Sequence, residues 1–188
     1  MLKIDNNRKY YPVITGLVGL LAFVFVAFLL GLLSVGLDAD LVFISILAIG
    51  ALGPLLIFMI LDKKNNLLLK VLASLFGILL GFMIGFGLGY VVAEFVPGKE
   101  ASPIPNIVAL VIMNVIYAVI MAGVTYGKKA MGFFAALAAI IGLVLGIIFM
   151  FLQNLTIAGI DVNYLFMAAT FGLTLGVCIG AYKDKKQE

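Results

Sequence analysis

Long apolar stretches separated by short polar segments dominate the pattern of the chain. Each stretch has the ~20 residues that a helix needs to cross the hydrocarbon core of a bilayer. The first stretch is too long for the apolar region of a secretory signal peptide, so we expect it to stay as a helix. The pattern predicts an all-α, polytopic transmembrane bundle of six spanning helices, over residues 11–35, 41–61, 67–95, 107–126, 131–152 and 164–182.

The composition predicts one membrane domain over residues 1–188. Hydrophobic residues make up 65% of the chain and charged residues 11%, whereas a soluble domain has roughly 45–50% apolar and about 25% charged residues. Apolar surface on this scale would aggregate in water. We therefore expect the lipid bilayer to surround the whole domain.

Basic residues predict the orientation of the helices. If successive spans alternate in direction, eleven of the twelve Lys and Arg residues lie on one side of the membrane and only Lys99 on the other. The side rich in Lys and Arg faces the cytoplasm. The sequence thus predicts a cell-membrane protein with both termini cytoplasmic. Because the basic residues sit in short turns, they do not indicate nucleic-acid binding.

Small residues recur at every fourth position in three predicted helices. Residues four apart lie on one helical face, and in lipid small residues let helix backbones approach closely. These faces are predicted to pack helices within the chain, or against further copies or other membrane subunits; a sliding interface or a narrow path is the alternative. They comprise Gly77, Gly81, Gly85 and Gly89 in the third helix, Gly142 and Gly146 in the fifth, and Gly172, Gly176 and Gly180 in the sixth.

Uncharged polar residues are the candidates for a solute path, since no Asp, Glu, Lys or Arg lies near the middle of any predicted span. Ionisable residues inside the membrane mark proton relays, ion-coupled pumps and voltage sensors, so an uncharged or weakly polar solute fits best. The same groups would also serve as interhelical hydrogen bonds. They are Asn114, Tyr117 and Thr125 in the fourth helix and Thr170 and Thr174 in the sixth.

A proline interrupts the second predicted helix near its centre. Pro54 cannot donate to the carbonyl of Gly50, and its ring strains the same turn. A helix kink is predicted there. Its freed carbonyl either contributes to an ion or solute site, as in the broken helices of transporters, or the bend serves packing alone.

The residue inventory argues against an enzyme. The chain has no His, and Cys178 is its only cysteine, so a thiolate or imidazole site for a metal or haem cannot be assembled. Hydrolysis in the membrane needs a nucleophile with a base, a carboxylate pair or a metal. We therefore predict no catalytic residues, no metal and no cofactor. The remaining classes are a membrane transport component (a small channel, facilitator or solute-binding subunit) and, alternatively, a structural or assembly subunit of a larger membrane complex.

Overall fold

A computed structural model describes residues 11–34, 40–61, 66–96, 103–152, 155–157 and 159–185, and these residues form a helical bundle. Its all-α class is confirmed, and the helix ends lie within three residues of the predicted spans. The last three helices extend two or three residues beyond their predicted spans, because the flanking residues continue the helical turns. The helices are α1 (Tyr11–Ser34), α2 (Asp40–Leu61), α3 (Leu67–Phe95), α4 (Ile104–Tyr126), α5 (Lys128–Leu152) and α6 (Val162–Lys185).

Five of the six helices, all except α2, are long and apolar enough to cross a membrane. In α2, the apolar segment whose side chains are described, Leu47–Leu61, is shorter. The outward faces of the bundle are apolar: Leu21 is 62% exposed, Met83 76% and Phe151 77%. Exposed apolar surface on this scale requires lipid rather than water around it. The chain is therefore a multi-pass membrane protein.

The helices close a ring in chain order. Each helix packs antiparallel against the next one, and α6 packs against α1. Helix α6 also contacts α2 and α4, so it is the most enclosed of the apolar helices. Large buried side chains, including Phe23, Phe58, Met113, Tyr117 and Phe134, fill the interior between the helices.

The two ends of the bundle carry different charges. We call the end at which α4 and α6 begin the Asn106 end, and the end at which α3 and α5 begin the Lys128 end. Lys70 and Lys183 lie at the Lys128 end together with Lys128 itself, whereas Glu94 lies towards the Asn106 end. The alternation of helix directions thus separates the described lysines from this carboxylate.

Two connections between helices are short and well defined. Only Gly127 separates α4 from α5; it has a positive φ of 82° that favours glycine, and its N–H donates to the carbonyl of Ala122. Between α5 and α6, where the sequence predicted only a polar break, there is a small antiparallel hairpin of β1 (Thr156–Ile157) and β2 (Ile160–Asp161). The side chain of Ile160 in this hairpin packs over Gly31 of α1.

Candidate functional site

The predicted site residue Asn114 lies in the centre of the bundle and is fully buried. Its Nδ2 donates to the carbonyl of Leu110 on the preceding turn at 2.9 Å. Its Oδ1 accepts a hydrogen bond of 2.9 Å from the hydroxyl of Thr174, 60 positions away on α6. This geometry is that of an interhelical hydrogen bond, which removes the large cost of an unpaired amide in apolar surroundings.

The other predicted path residues occupy separate positions. The Tyr117 hydroxyl accepts a hydrogen bond of 3.2 Å from Ser74 of α3, and Thr170 donates to the carbonyl of Met167 in its own helix at 2.7 Å. The hydroxyl of Thr125 has no hydrogen-bond partner among the described residues. The structure therefore joins Asn114 to Thr174 and does not assemble all five residues into one site.

The glycines of α6 face α1 at very short range. A Cβ atom at Gly172 would overlap the carbonyl oxygen of Gly19, and one at Gly176 would overlap that of Thr15. At Gly180 a Cβ atom would overlap the Thr15 hydroxyl oxygen. The sequence does not mark Gly19 as a partner, because α1 has no run of small residues at spacing four.

The other two rows of small residues both face α4. Gly77, Gly81, Gly85 and Gly89 of α3 lie against Tyr117, Met113, Ala109 and Pro105 of α4, in antiparallel order. Gly142 and Gly146 of α5 lie against Val111 and Ile107 on another side of α4. The nine predicted packing glycines thus all face another helix of the same chain, and contacts with a second copy would have to use other surfaces.

Helix α2 remains continuous from Asp40 to Leu61 although it contains Pro54. Pro54 is buried, and a Cβ atom at Gly50 would lie 3.2 Å from the side chains of Leu75 and Ile78 on α3. The predicted kink, and a role for the carbonyl of Gly50, stay predictions.

A cavity of about 340 Å³ lies at the Asn106 end, between four helices. Its volume falls in the range of roughly 300–1,000 Å³ that is usual for small-molecule sites. None of the five predicted path residues is among the described residues that line it. The lining comprises Phe86 of α3, Asn106, Ala109, Leu110 and Met113 of α4, Phe149 of α5, and Asn163 and Met167 of α6.

We call the part of the cavity at the helix ends, where both asparagines of its lining lie, the mouth, and the part towards Met113 the floor. Asn106 and Asn163 lie in the first turns of α4 and α6, and Asn106 is exposed. Met113 lies seven residues after Asn106, which is about 10 Å along the helix axis. Below Met113, the buried Asn114 and its bond to Thr174 join α4 to α6. The sequence does not reveal this site, because its lining comes from four helices and both asparagines fall in the polar breaks between predicted spans.

Aromatic side chains fill the Lys128 end between α4, α5 and α6. The ring of Tyr126 lies 5.8 Å from that of Phe134 and 4.9 Å from that of Tyr182, measured between centroids. Next to them, the Lys183 ammonium donates to the carbonyl of Leu61 at the end of α2, at 2.9 Å. The helix ends are thus tied together at this end, whereas the cavity lies at the other.

The described residues include no group of three or more Cys, Asp or Glu side chains placed to hold a metal ion. The prediction of no metal and no cofactor stays a prediction. Comparison of the chain with protein-family models, with curated proteins and with solved structures finds no match.

Proposed function

We propose that this protein is a non-catalytic membrane transport component that binds a solute in the cavity at the Asn106 end. The proposal includes six membrane spans, both termini in the cytoplasm and a cell-membrane location. The length of α2 supports the sixth span, since its 22 residues measure about 33 Å at 1.5 Å per residue, enough for a hydrocarbon core of about 30 Å. In this orientation the lysines of the Lys128 end lie inside the cell and the cavity opens outward.

The cavity is the observation that carries the proposal. Small-molecule sites are concave, mostly apolar and equipped with a few polar groups that orient the ligand. The cavity has this composition, with two asparagines at its mouth and Phe, Met, Leu and Ala elsewhere. Packing in membrane bundles is otherwise close, as the glycine contacts of α4 and α6 illustrate.

Of the three kinds of transport component, a solute-binding subunit or an alternating facilitator fits better than an open channel. A channel needs a continuous path, but buried side chains lie below the cavity floor. Met113, Tyr117 and Met121 are each 1% exposed or less, and Asn114 is bonded across to Thr174. Passage of a solute would therefore require α4 and α6 to move relative to each other.

A structural subunit of a larger membrane complex is the alternative. It is favoured by the mutual hydrogen bonding of the buried polar groups, Asn114 with Thr174 and Ser74 with Tyr117, which leaves them satisfied without a ligand. In that case the cavity would be incidental and an outward apolar face would be covered by another protein.

Cysteine accessibility tests the orientation. Cys178, the only native cysteine, is fully buried, so the intact wild-type chain is expected to resist a membrane-impermeant maleimide and serves as the negative control. We expect Asn106→Cys to react from outside intact cells, and Lys128→Cys to react only after the membrane is opened. Labelling of both positions from the same side would contradict the proposed topology.

Filling the cavity tests the function. We expect a small molecule to copurify with the protein in nanodiscs and to be released on denaturation, where mass spectrometry detects it. Met167→Trp places a larger side chain in the cavity wall, so this variant should lose the molecule. The matched variant Met83→Trp changes a side chain of α3 that is 76% exposed on the outside of the bundle, so it should keep the molecule. Equal release from both variants, or none from the wild type, would favour the assembly role.

A further inference from the structure

We propose that the cavity selects a small, flat, uncharged molecule with an amide-like polar edge, bound with its apolar ring towards Met113 and its polar edge at Asn106 and Asn163. This inference rests on the proposed function and adds the chemical class and the orientation of the ligand. It follows from the polarity, charge, shape and size of the cavity.

The polar groups of the lining are two primary amides, and both lie at the mouth. Asn106 is in the first turn of α4 and Asn163 in the first turn of α6. An amide carries an acceptor oxygen and donor N–H groups. A ligand that matches two amides offers a donor and an acceptor side by side, which an amide, lactam or ring N–H/C=O edge does and which a carboxylate or an ammonium group does not.

No charged side chain occurs among the described residues of the lining. Moving an ionised group out of water into such a site is costly unless an opposite charge pairs with it. A ligand that carries a full charge would therefore bind weakly or not at all. The charge of the cavity thus favours a neutral solute over its acidic or basic analogue.

The apolar side chains of the lining are suited to a ring. Phe86 and Phe149 approach from α3 and α5, on opposite sides of α4, and Met113 and Met167 supply thioethers. Aromatic rings and methionine sulfur both make favourable contacts with an aromatic ligand. The Phe149 ring is held by that of Phe166, with 5.4 Å between centroids.

The size of the cavity limits the ligand to one or two rings. The volume of about 340 Å³ lies near the lower end of the roughly 300–1,000 Å³ that is usual for small-molecule sites. Since Asn106 and Met113 are about 10 Å apart along α4, a ring of this size reaches the floor while its polar edge stays at the mouth. A space of this size favours a compact ring system over a long flexible chain.

Three probes of similar shape test the charge selection. Benzamide is neutral with an amide edge, benzoate is its anionic analogue and benzylamine, protonated at neutral pH, is the cationic one. Binding of each to the full-length protein in nanodiscs is measured by saturation-transfer NMR, with empty nanodiscs as the blank. We expect benzamide to bind at least tenfold more tightly than either ion, and its signal to be lost in Met167→Trp but kept in Met83→Trp.

Two substitutions of Asn106 at the mouth test the proposal with variants that are expected to fold. Asn106 is exposed, so Asn106→Leu is expected to keep the fold and to weaken benzamide about fivefold, the equivalent of one hydrogen bond. Asn106→Asp places a carboxylate in the first turn of α4, where the helix dipole favours it. We expect Asn106→Asp to bind benzylamine more tightly than the wild type does.

The outcomes separate this inference from the proposed function. If an ion binds as tightly as benzamide, or if none of the probes binds, the proposed ligand class is wrong, while loss of the copurified molecule in Met167→Trp would still support a solute site. If benzamide binds Met167→Trp as well as the wild type, the probe lies outside the cavity and the inference fails. A lipid released from the wild type but not from Met167→Trp would also overturn it, because the occupant would then be an acyl chain.

Discussion

The contact between α1 and α6 leads to a sharp prediction about a single methyl group. At Gly172 an added Cβ atom would overlap the carbonyl oxygen of Gly19 and would lie 2.8 Å from its carbonyl carbon. These are backbone atoms, so they cannot rotate away as a side chain would. The change Gly172→Ala must therefore push α1 and α6 apart along an interface on which much of the bundle depends.

The expected cost follows from two opposing terms. Overpacking of a well-packed interior typically costs about 1–3 kcal/mol, and separation of two helices along their backbones belongs at the upper end of that range. Alanine has a better helix propensity than glycine by about 0.8–1 kcal/mol. At Gly87 of α3 a Cβ atom would meet nothing within 4 Å, so the matched change Gly87→Ala keeps the propensity gain without the overlap. Because the propensity gain is common to both variants, it cancels, and they should differ in the free energy of unfolding by the overpacking cost alone, about 1–3 kcal/mol with the upper end expected.

The assay is resistance to a brief pulse of protease across a titration of SDS in mixed micelles. We expect the Gly172→Ala midpoint to fall clearly below that of the wild type, and the Gly87→Ala midpoint to equal or exceed it. Equal midpoints for the two variants would refute the reasoning, because they would mean that the α1–α6 backbones are not in the contact described.

Two further predictions concern polar contacts between helices. For the bond between Asn114 and Thr174, a double-mutant cycle with valine at each position should give a coupling of about 1 kcal/mol, the size of interhelical hydrogen bonds in membranes, in the same unfolding assay; a coupling near zero would mean that the bond contributes nothing. The Lys183 ammonium donates to the carbonyl of Leu61 at the end of α2, where a cation is worth about 0.3–1 kcal/mol. Lys183→Met should lower the free energy of unfolding by that amount at low salt and by less at high salt. A loss that does not depend on salt would indicate lost packing instead.

The hydropathy of the chain and the spacing of its small residues predict much of the fold at the level of single helices. Every helix in the described part of the chain coincides with a predicted span to within three residues, because a span is set by local composition. The small residues at spacing four also mark helical faces that can be read from the chain alone. The hairpin between α5 and α6 was missed because its strands are only two residues long, too short for an alternating pattern.

The partners of those faces were decided by tertiary structure. Spacing marks Gly172 and Gly176 as close-packing positions, but nothing local indicates that Gly19, more than 150 residues earlier in the chain, faces them. Likewise Asn114 reads as a buried amide that needs a partner, and only the juxtaposition of α4 and α6 supplies Thr174. Both contacts join helices that are far apart in the sequence, and one sequence alone does not show which distant segments lie next to each other in space.

The cavity belongs entirely to the tertiary structure. A cavity is the space that neighbouring side chains leave empty, so it depends on how helices splay and not on any property of one residue. Phe86, Asn106, Phe149 and Asn163 look like ordinary apolar or helix-end residues in their own segments. They become a candidate binding site only because the ends of α4 and α6 place two amides above an apolar space between four helices. Sequence determined that these helices prefer lipid, since that depends on composition, and packing determined where the bundle stays open.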